Sequence, residues 1–596
     1  MKNLKDTYTK NADRYAGLYR KESKRLFSLS MMRLAVFIGG IALAIVLWRF
    51  SIFIAVLTLL AAIIAFAFLL RAYGRHSFRR SFFDKMKEIN DDELSSLDND
   101  HSCFEPGKEF IDPQHDFSHD IDLFGDDSVY QYLNRTCTGR GSSLLAQWLS
   151  APDRLVAGMH ERQEAVKELS ALVEWRQEFN AYGKMNYPSS EEINELMEWL
   201  ETPPQYRQNR FYGFLRVLMP LLAVALLALA IAGVLPYSLF ILIFLINLGI
   251  ISVNLKKLNV IHGSVSRKHE MLKTLMHLVR HFEDRDFNSP YINSLRKDPG
   301  KGNRTASGAI LKLSKIIQAF DSRLNMLMAA LLNGVLLWDI QCVYSLDKWK
   351  KDASSLLPEW FENLGHCDAL CSLANYAANN RDYSYPVISE KATYLSAVQM
   401  GHPLIDRKER VNNDFTIEAR GDINIITGAN MAGKSTFLRT VAVNLALAMT
   451  GAPVCAREFV YTPAVLFSSM RTTDSLSDNE SYFYAELKRL SVLKDRLREG
   501  ENIFFLLDEI LKGTNSRDKS EGSALFIKKI IEYGATGVIA THDVLLGKLE
   551  DNYPVIRNKC FEVEIEGDEL IFDYILREGM TTRMNAALLM KKMGII

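Results

Sequence analysis

Residues 427–436 read TGANMAGKST, which contains G-x-x-x-x-G-K-S with Gly428, Gly433, Lys434 and Ser435 in the four fixed places. The preceding INII (residues 423–426) predicts a short buried strand, and residues 437–449 predict a helix. Strand, glycine loop and helix in this order hold this part of the chain to an α/β fold. The loop needs a strand end on one side and a helix N-terminus on the other to point its N–H groups at an anion. Gly428, Ala429, Asn430, Met431, Ala432, Gly433, Lys434, Ser435 and Thr436 form the predicted nucleotide-binding loop. In it Lys434 reaches the terminal phosphates and the Ser435 hydroxyl holds Mg²⁺.

Two further strand ends supply chemistry to such a loop. IFFLL (503–507) predicts a buried strand running into Asp508 and Glu509, and strand C-terminal ends are where an α/β sheet places ligands. Asp508 is expected to hold Mg²⁺ through water and Glu509 to activate the attacking water, since phosphoryl transfer rests on positioning and charge neutralisation. Residues 538–540 predict another strand ending at Thr541, His542 and Asp543, which places His542 to sense or orient the γ-phosphate.

The N-terminal half follows another logic. Residues 34–48 are wholly apolar, Arg49 interrupts, and residues 52–70 are apolar again. Each run approaches the length of about 20 residues that a bilayer core requires. Lys21, Lys24, Arg25 and Arg33 precede the pair, and Arg71, Arg75, Arg79 and Arg80 follow it. A second apolar pair, residues 217–235 and 238–253, turns at Pro236 and Tyr237 and is flanked by Arg207, Arg210 and Arg216 before and Lys256 and Lys257 after. The positive-inside bias then predicts four spans of a multi-pass cytoplasmic (inner) membrane protein, with all larger segments in the cytosol. The second pair carries no ionisable residue, which argues for anchors and against a transport path.

Acidic and basic residues balance at 71 each, so net charge speaks neither for nor against nucleic acid. Seven scattered cysteines lack metal or redox spacing and read as reduced thiols. His262, His269, His277 and His281 lack a metal spacing and read as surface histidines.

Several stretches resemble the MutS family. Leu133, Asn134, Thr136, Thr138, Gly141, Leu144, Leu145, Trp148, Leu149 and Pro152 follow its core-domain signature, and DALCSLA (368–374) resembles the segment ahead of its ATPase domain. GHPLI (401–405), VNNDF (411–415) and the glycine loop then occur in the family's order. The loop departs from the usual wording at Ala429 and Ala432. Arg410 stands where the family commonly sets an aromatic against adenine; its planar guanidinium can stack, and the sequence leaves the base contact open. DNESYFYAE (478–486) resembles the family's trans-acting signature, with Ser481 on the partner's nucleotide, and KGTNSRD (512–518) its inter-subunit loop.

The resemblance implies ATP and Mg²⁺ as cofactors, catalysis by Lys434, Glu509 and His542, metal held by Ser435 and Asp508, and a homodimer through the ATPase domains. It supports this layout: an N-terminal segment with the first transmembrane hairpin (1–100), a helical core (101–213), a second hairpin (214–255), a helical lever region (256–395), and a P-loop ATPase domain of ABC/MutS type (396–596). The family's N-terminal mismatch-reading and connector domains have no counterpart in the residues quoted. The expected function is a membrane-anchored, ATP-dependent DNA clamp without wedge-type mismatch reading. A membrane-remodelling or signalling ATPase using the same sandwich is the alternative, and an ABC transporter a weaker third.

Overall fold

The computed structural model describes residues 2–151, 156–186, 190–204, 206–266, 268–296, 305–353, 356–389, 394–471, 482–512, 515–566 and 569–581. The strands are β1 (Val387–Ile388), β2 (Leu395–Met400), β3 (Asn413–Ile417), β4 (Ile423–Gly428), β5 (Glu458–Tyr461), β6 (Val465–Ser469), β7 (Ile503–Asp508), β8 (Thr536–Thr541), β9 (Ile556–Glu566) and β10 (Glu569–Glu578).

A six-stranded sheet runs β10-β9-β4-β8-β7-β6, parallel from β6 to β9 with β10 antiparallel at one edge. Every residue of β4, β7 and β8 is buried, as expected where a parallel sheet is covered on both faces. The register sets Thr427 opposite Thr541 and Asp508 opposite Ala540. The glycine loop, the acidic pair and His542 therefore leave the sheet at one edge, the carboxyl end of the strands. The other sheet runs β1-β5-β2-β3.

Helix Lys434–Thr450 packs against the six-stranded sheet and against helix Gly139–Ser150 of the helical region. It buries residues on all sides, so it belongs to the core rather than to the surface. Residues 115–122 cover the edge at β6. Ser468 N–H donates to Asp116 O at 2.8 Å, and Met470 and Arg471 N–H donate to the Asp120 carboxylate at 3.1 and 2.8 Å. An open strand edge is thereby paired.

In the helical region, the family-like stretch around Thr138 has a specific packing reason. The buried Asp368 carboxylate accepts from Cys137 N, Thr138 N (2.8 Å) and Thr138 Oγ1 (2.6 Å) at the start of helix Gly139–Ser150. Gly141 lies against that carboxylate so closely that an added Cβ would overlap it. The carboxylate thus ties helix Leu356–Asn379 to helix Gly139–Ser150 and tolerates only glycine beside it.

Among the described residues four helices are long and apolar enough to cross a membrane: Leu4–Trp48, Ile52–Leu97, Arg210–Ile231 and Tyr237–Val265. The first two pack along each other, with Arg33 stacked over Tyr73 and Phe37 beside Phe66. Their polar halves dock on the helical region. Tyr8 Oη donates to Asn379 Oδ1 (2.8 Å), Asn379 donates to Glu93 Oε2 (2.7 Å), and Arg135 Nε donates to Glu93 Oε1 (2.5 Å).

Helix Tyr237–Val265 passes without a break through position 255, where the sequence places a domain boundary. Helix Met326–Leu336, read from sequence as lever, packs on the second apolar pair with Met326 and Leu327 exposed. It forms a 79° bend with the helix that follows. At 11 residues it is too short to register as a span by itself. The histidine reading needs correction. His262 is buried and paired with Asp321 (2.9 Å), His277 stacks on Tyr182, and His281 stacks on Trp175 with ring centres 5.0 Å apart. Helical spacing alone did not reveal these aromatic partners on other elements.

Candidate active site

The glycine loop joins β4 to helix Lys434–Thr450 as the sequence predicts, the helix beginning at Lys434. Gly433 caps it with φ 101°, and a Cβ there would stand 3.0 Å from the Tyr574 ring, so both backbone and space call for glycine. Lys434 is buried and its ammonium donates to Gly428 O (2.8 Å) and Ala429 O (2.9 Å). Burial lowers its pKa, opposed by the charges of Glu509 and Asp508.

Ser435 Oγ donates to Asp508 Oδ2 at 2.5 Å. A hydroxyl and a carboxylate this close are hard oxygen ligands suited to Mg²⁺, with the remaining positions left to phosphate and water. The site residues present therefore fit that ion.

Glu509 follows with φ 55°, its N–H held by Ala540 O at 2.8 Å. His542 Nδ1 lies 3.1 Å from Glu509 Oε1. Burial pushes the Glu509 carboxyl up, but the bond to His542, with the charges of His542, Lys519 and Lys512, outweighs it and holds the pKa below the ordinary value. Lys434, Ser435, Asp508, Glu509 and His542 are thus brought together. Ser481 lies outside the described residues, as do Gly513 and Thr514 of the inter-subunit loop.

A cleft of about 470 Å³ opens beside the loop, lined among others by Asn430, Met431, Lys434, Ser435, Thr436 and Glu509. His402, Arg410, Val411 and Tyr574 also line it. Burial, aided by the charges of Arg439 and Arg410, holds His402 at about 4, so the imidazole is neutral at pH 7. Arg410 is tied to Tyr383 Oη (2.9 Å) and Asn412 Oδ1 (3.1 Å).

Two residues of the site were given no role from sequence, although Glu486 closes the DNESYFYAE stretch and Tyr574 lies in the C-terminal tail. Tyr574 brings an aromatic ring into the cleft from a bulge in β10, with φ 55°. Asn413 clamps that bulge, donating to Tyr574 O (3.0 Å) and accepting from Leu576 N–H (2.7 Å). The VNND wording was the available signal, because a buried asparagine at a strand start must bond to something. Glu486 is the other. Buried in helix Tyr482–Arg498, it accepts from Leu511 N–H (2.5 Å) and Lys512 N–H (3.1 Å), the turn that follows Glu509. Burial raises its pKa and the two N–H groups pull it back in part.

Asp122 connects this centre to the helical region. It receives Arg439, on the helix that carries Lys434, at 3.0 Å, and Arg471 through two bonds of 2.5 and 2.8 Å.

Residues 424–593 match the family model described as MutS domain V. The chain is 31% identical over 242 residues to the DNA mismatch repair protein MutS of Thermotoga neapolitana, a stretch covering 40% of this chain and 29% of that protein. It is 32% identical over 225 residues to DNA mismatch repair protein MutS 2 of Halobacterium salinarum (37% and 25%). It is 33% identical over 222 residues to MutS of Aquifex pyrophilus (36% and 25%). The match thus spans less than a third of each of these relatives.

Proposed function

The chain belongs to the MutS family through its C-terminal region, and from that premise we propose a membrane-anchored ATPase that acts as a dimer and closes on DNA as an ATP-driven clamp. The observation that carries the reading is the convergence of Lys434, the Ser435–Asp508 pair and the Glu509–His542 pair on one loop. In this reading Lys434 leaves the carbonyls of Gly428 and Ala429 for the β- and γ-phosphates, whose charge replaces that of the two dipoles. Ser435 and Asp508 would hold Mg²⁺, which would supply charge neutralisation at the phosphates. Glu509, kept ionised by His542, accepts a proton from the attacking water, and His542 then lies beside the γ-phosphate.

Tyr574 and Arg410 flank the base end of the cleft, the tyrosine offering its ring as the aromatic surface that the sequence lacked at position 410. Ser481 is assigned to the nucleotide of the second subunit, which makes the complete site composite. The relatives act in DNA mismatch repair by name, and DNA is taken here as the ligand of the helical arms, held through phosphate contacts. The apolar helices, which expose Leu34, Phe53, Leu221 and Leu242 among many others, are the anchor, with the ATPase domain on the cytosolic side.

The test is ATP turnover by detergent-solubilised full chain with linear, mismatched and branched DNA across a salt series. Stimulation that fades with salt is expected. No response to any DNA, with stimulation by anionic liposomes, would favour a membrane-remodelling or signalling ATPase. One observation supports that second reading: the bonds from Tyr8 and Glu93 attach the first apolar pair to helix Leu356–Asn379, which leads straight into the ATPase region. Closure of the ATPase dimer would then move the apolar helices as rigid levers.

A further inference from the structure

Helix Arg210–Ile231 begins at the polar margin of the second apolar pair, and its second turn carries Arg216. The Arg216 guanidinium stacks 3.9 Å from the Tyr344 ring centre and donates to Gln341 Oε1 at 3.4 Å, while its Nε is buried without a hydrogen-bond partner. Arg207 likewise buries an unpartnered Nη1. Both line a cavity of about 350 Å³ with Lys312, Tyr344, Ser345 and Lys348. Asp347, next to Lys348 in sequence, is engaged through its Oδ2, which accepts the backbone N–H groups of Tyr206 and Arg207 at 2.8 and 3.0 Å. Among the described residues no ion pair neutralises any of the four cations.

Four cations around so small a space repel one another, and a buried guanidinium N–H without an acceptor carries a desolvation penalty. An anion with several acceptor oxygens relieves both, and the planar guanidinium fork suits phosphate oxygens. The exposed apolar surface starts beside the cavity, at Phe211 and Phe214 (each 62% exposed) and Val217. We propose that this cavity binds a phosphate ester anion, supplied by the headgroup of an anionic phospholipid at the cytosolic surface. The proposal rests on the membrane reading above for the lipid source, though not for the anion chemistry. Basic pockets beside spanning helices on the cytosolic side are suited to such headgroups.

The full chain is first floated with neutral phosphatidylcholine vesicles, which tests the membrane reading without involving the cavity. Spin-labelled phosphatidylglycerol and phosphatidylcholine are then compared for retention by the reconstituted protein. Wild type should retain phosphatidylglycerol preferentially. The double variant Lys312→Gln/Lys348→Gln should weaken that preference about 30-fold, at about 1 kcal/mol per cation removed, with unchanged Tm and ATPase activity. Both lysines are exposed and the substitution leaves no buried bond broken. Arg216→Gln should weaken it further. Soluble glycerol 3-phosphate separates the sources: competition shows that the free ester suffices, and lack of competition assigns the site to the lipid.

Equal retention of the two lipids by wild type overturns the proposal and leaves the membrane reading standing. Failure to float overturns the membrane reading, and glycerol 3-phosphate binding lost in the double variant then decides the cavity alone. Displacement of phosphatidylglycerol by duplex DNA, with the same lysines required, would overturn the lipid assignment.

Discussion

Replacing Glu486 by alanine should lower ATP turnover about 100-fold while leaving nucleotide affinity within about threefold of wild type, the signature of a misplaced catalytic group. Its carboxylate accepts from Leu511 N–H at 2.5 Å and Lys512 N–H at 3.1 Å. Those bonds hold a turn in which Glu509 (φ 55°) and Leu511 (φ 61°) both occupy the left-handed region. That region costs about 1–2 kcal/mol for each non-glycine residue, so about 2–4 kcal/mol of strain is stored here. Two hydrogen bonds to a charged acceptor contribute about 1.5–3 kcal/mol each, or about 3–6 kcal/mol together. The carboxylate therefore just outweighs the strain.

Without it, two N–H groups lose their acceptor and the turn relaxes toward ordinary dihedral angles, taking Glu509 with it. A shift of about 1 Å at a catalytic group costs about 10²-fold in rate. Lys434 and Ser435 sit on another element and stay in place. Glu486→Gln retains one acceptor without the charge and should fall between alanine and wild type. The assay is steady-state phosphate release with a parallel fluorescent-nucleotide titration, run at pH 8 because burial raises the Glu486 pKa. An alanine variant within about twofold of the wild-type rate would refute the argument that this contact positions Glu509.

On the same reading, Lys434→Ala should abolish nucleotide binding by equilibrium titration. Glu509→Gln should bind ATP normally, fail to hydrolyse it and accumulate as a dimer on size exclusion; normal turnover would remove Glu509 from its role. His542→Asn should move the acidic limb of the kcat profile to higher pH. Glu509 lies below its ordinary pKa through its bond to His542, and burial, which raises it, gains weight when that bond is gone. An unmoved limb would mean that the imidazole does not set the charge of Glu509. Asp368 offers a stability test. Burial pushes its carboxyl up to about 6, so the stabilisation it contributes is complete below the unfolded value near 4 and is lost as pH rises through about 6. Asp368→Asn should flatten the decline of Tm between about pH 4 and 6, read by differential scanning fluorimetry.

The sequence by itself determined the features whose physics is local. Strand, glycine loop and helix at residues 423–449 need only neighbours along the chain, and so does the buried run that ends in Asp508 and Glu509. The four apolar helices follow from length and hydropathy alone. Only the tertiary structure decided which distant groups complete the site. Tyr574 enters the cleft because Asn413, more than 150 residues earlier, clamps a β-bulge. Glu486 finds its N–H partners across two elements, and Asp122 reaches Arg439 from the helical region. The basic cavity draws on three helices and the segment ahead of the first of them. In each case the side chain's meaning lies in a partner far away in sequence. Periodicity reports which face of an element is buried, but the fold alone reports what that face meets.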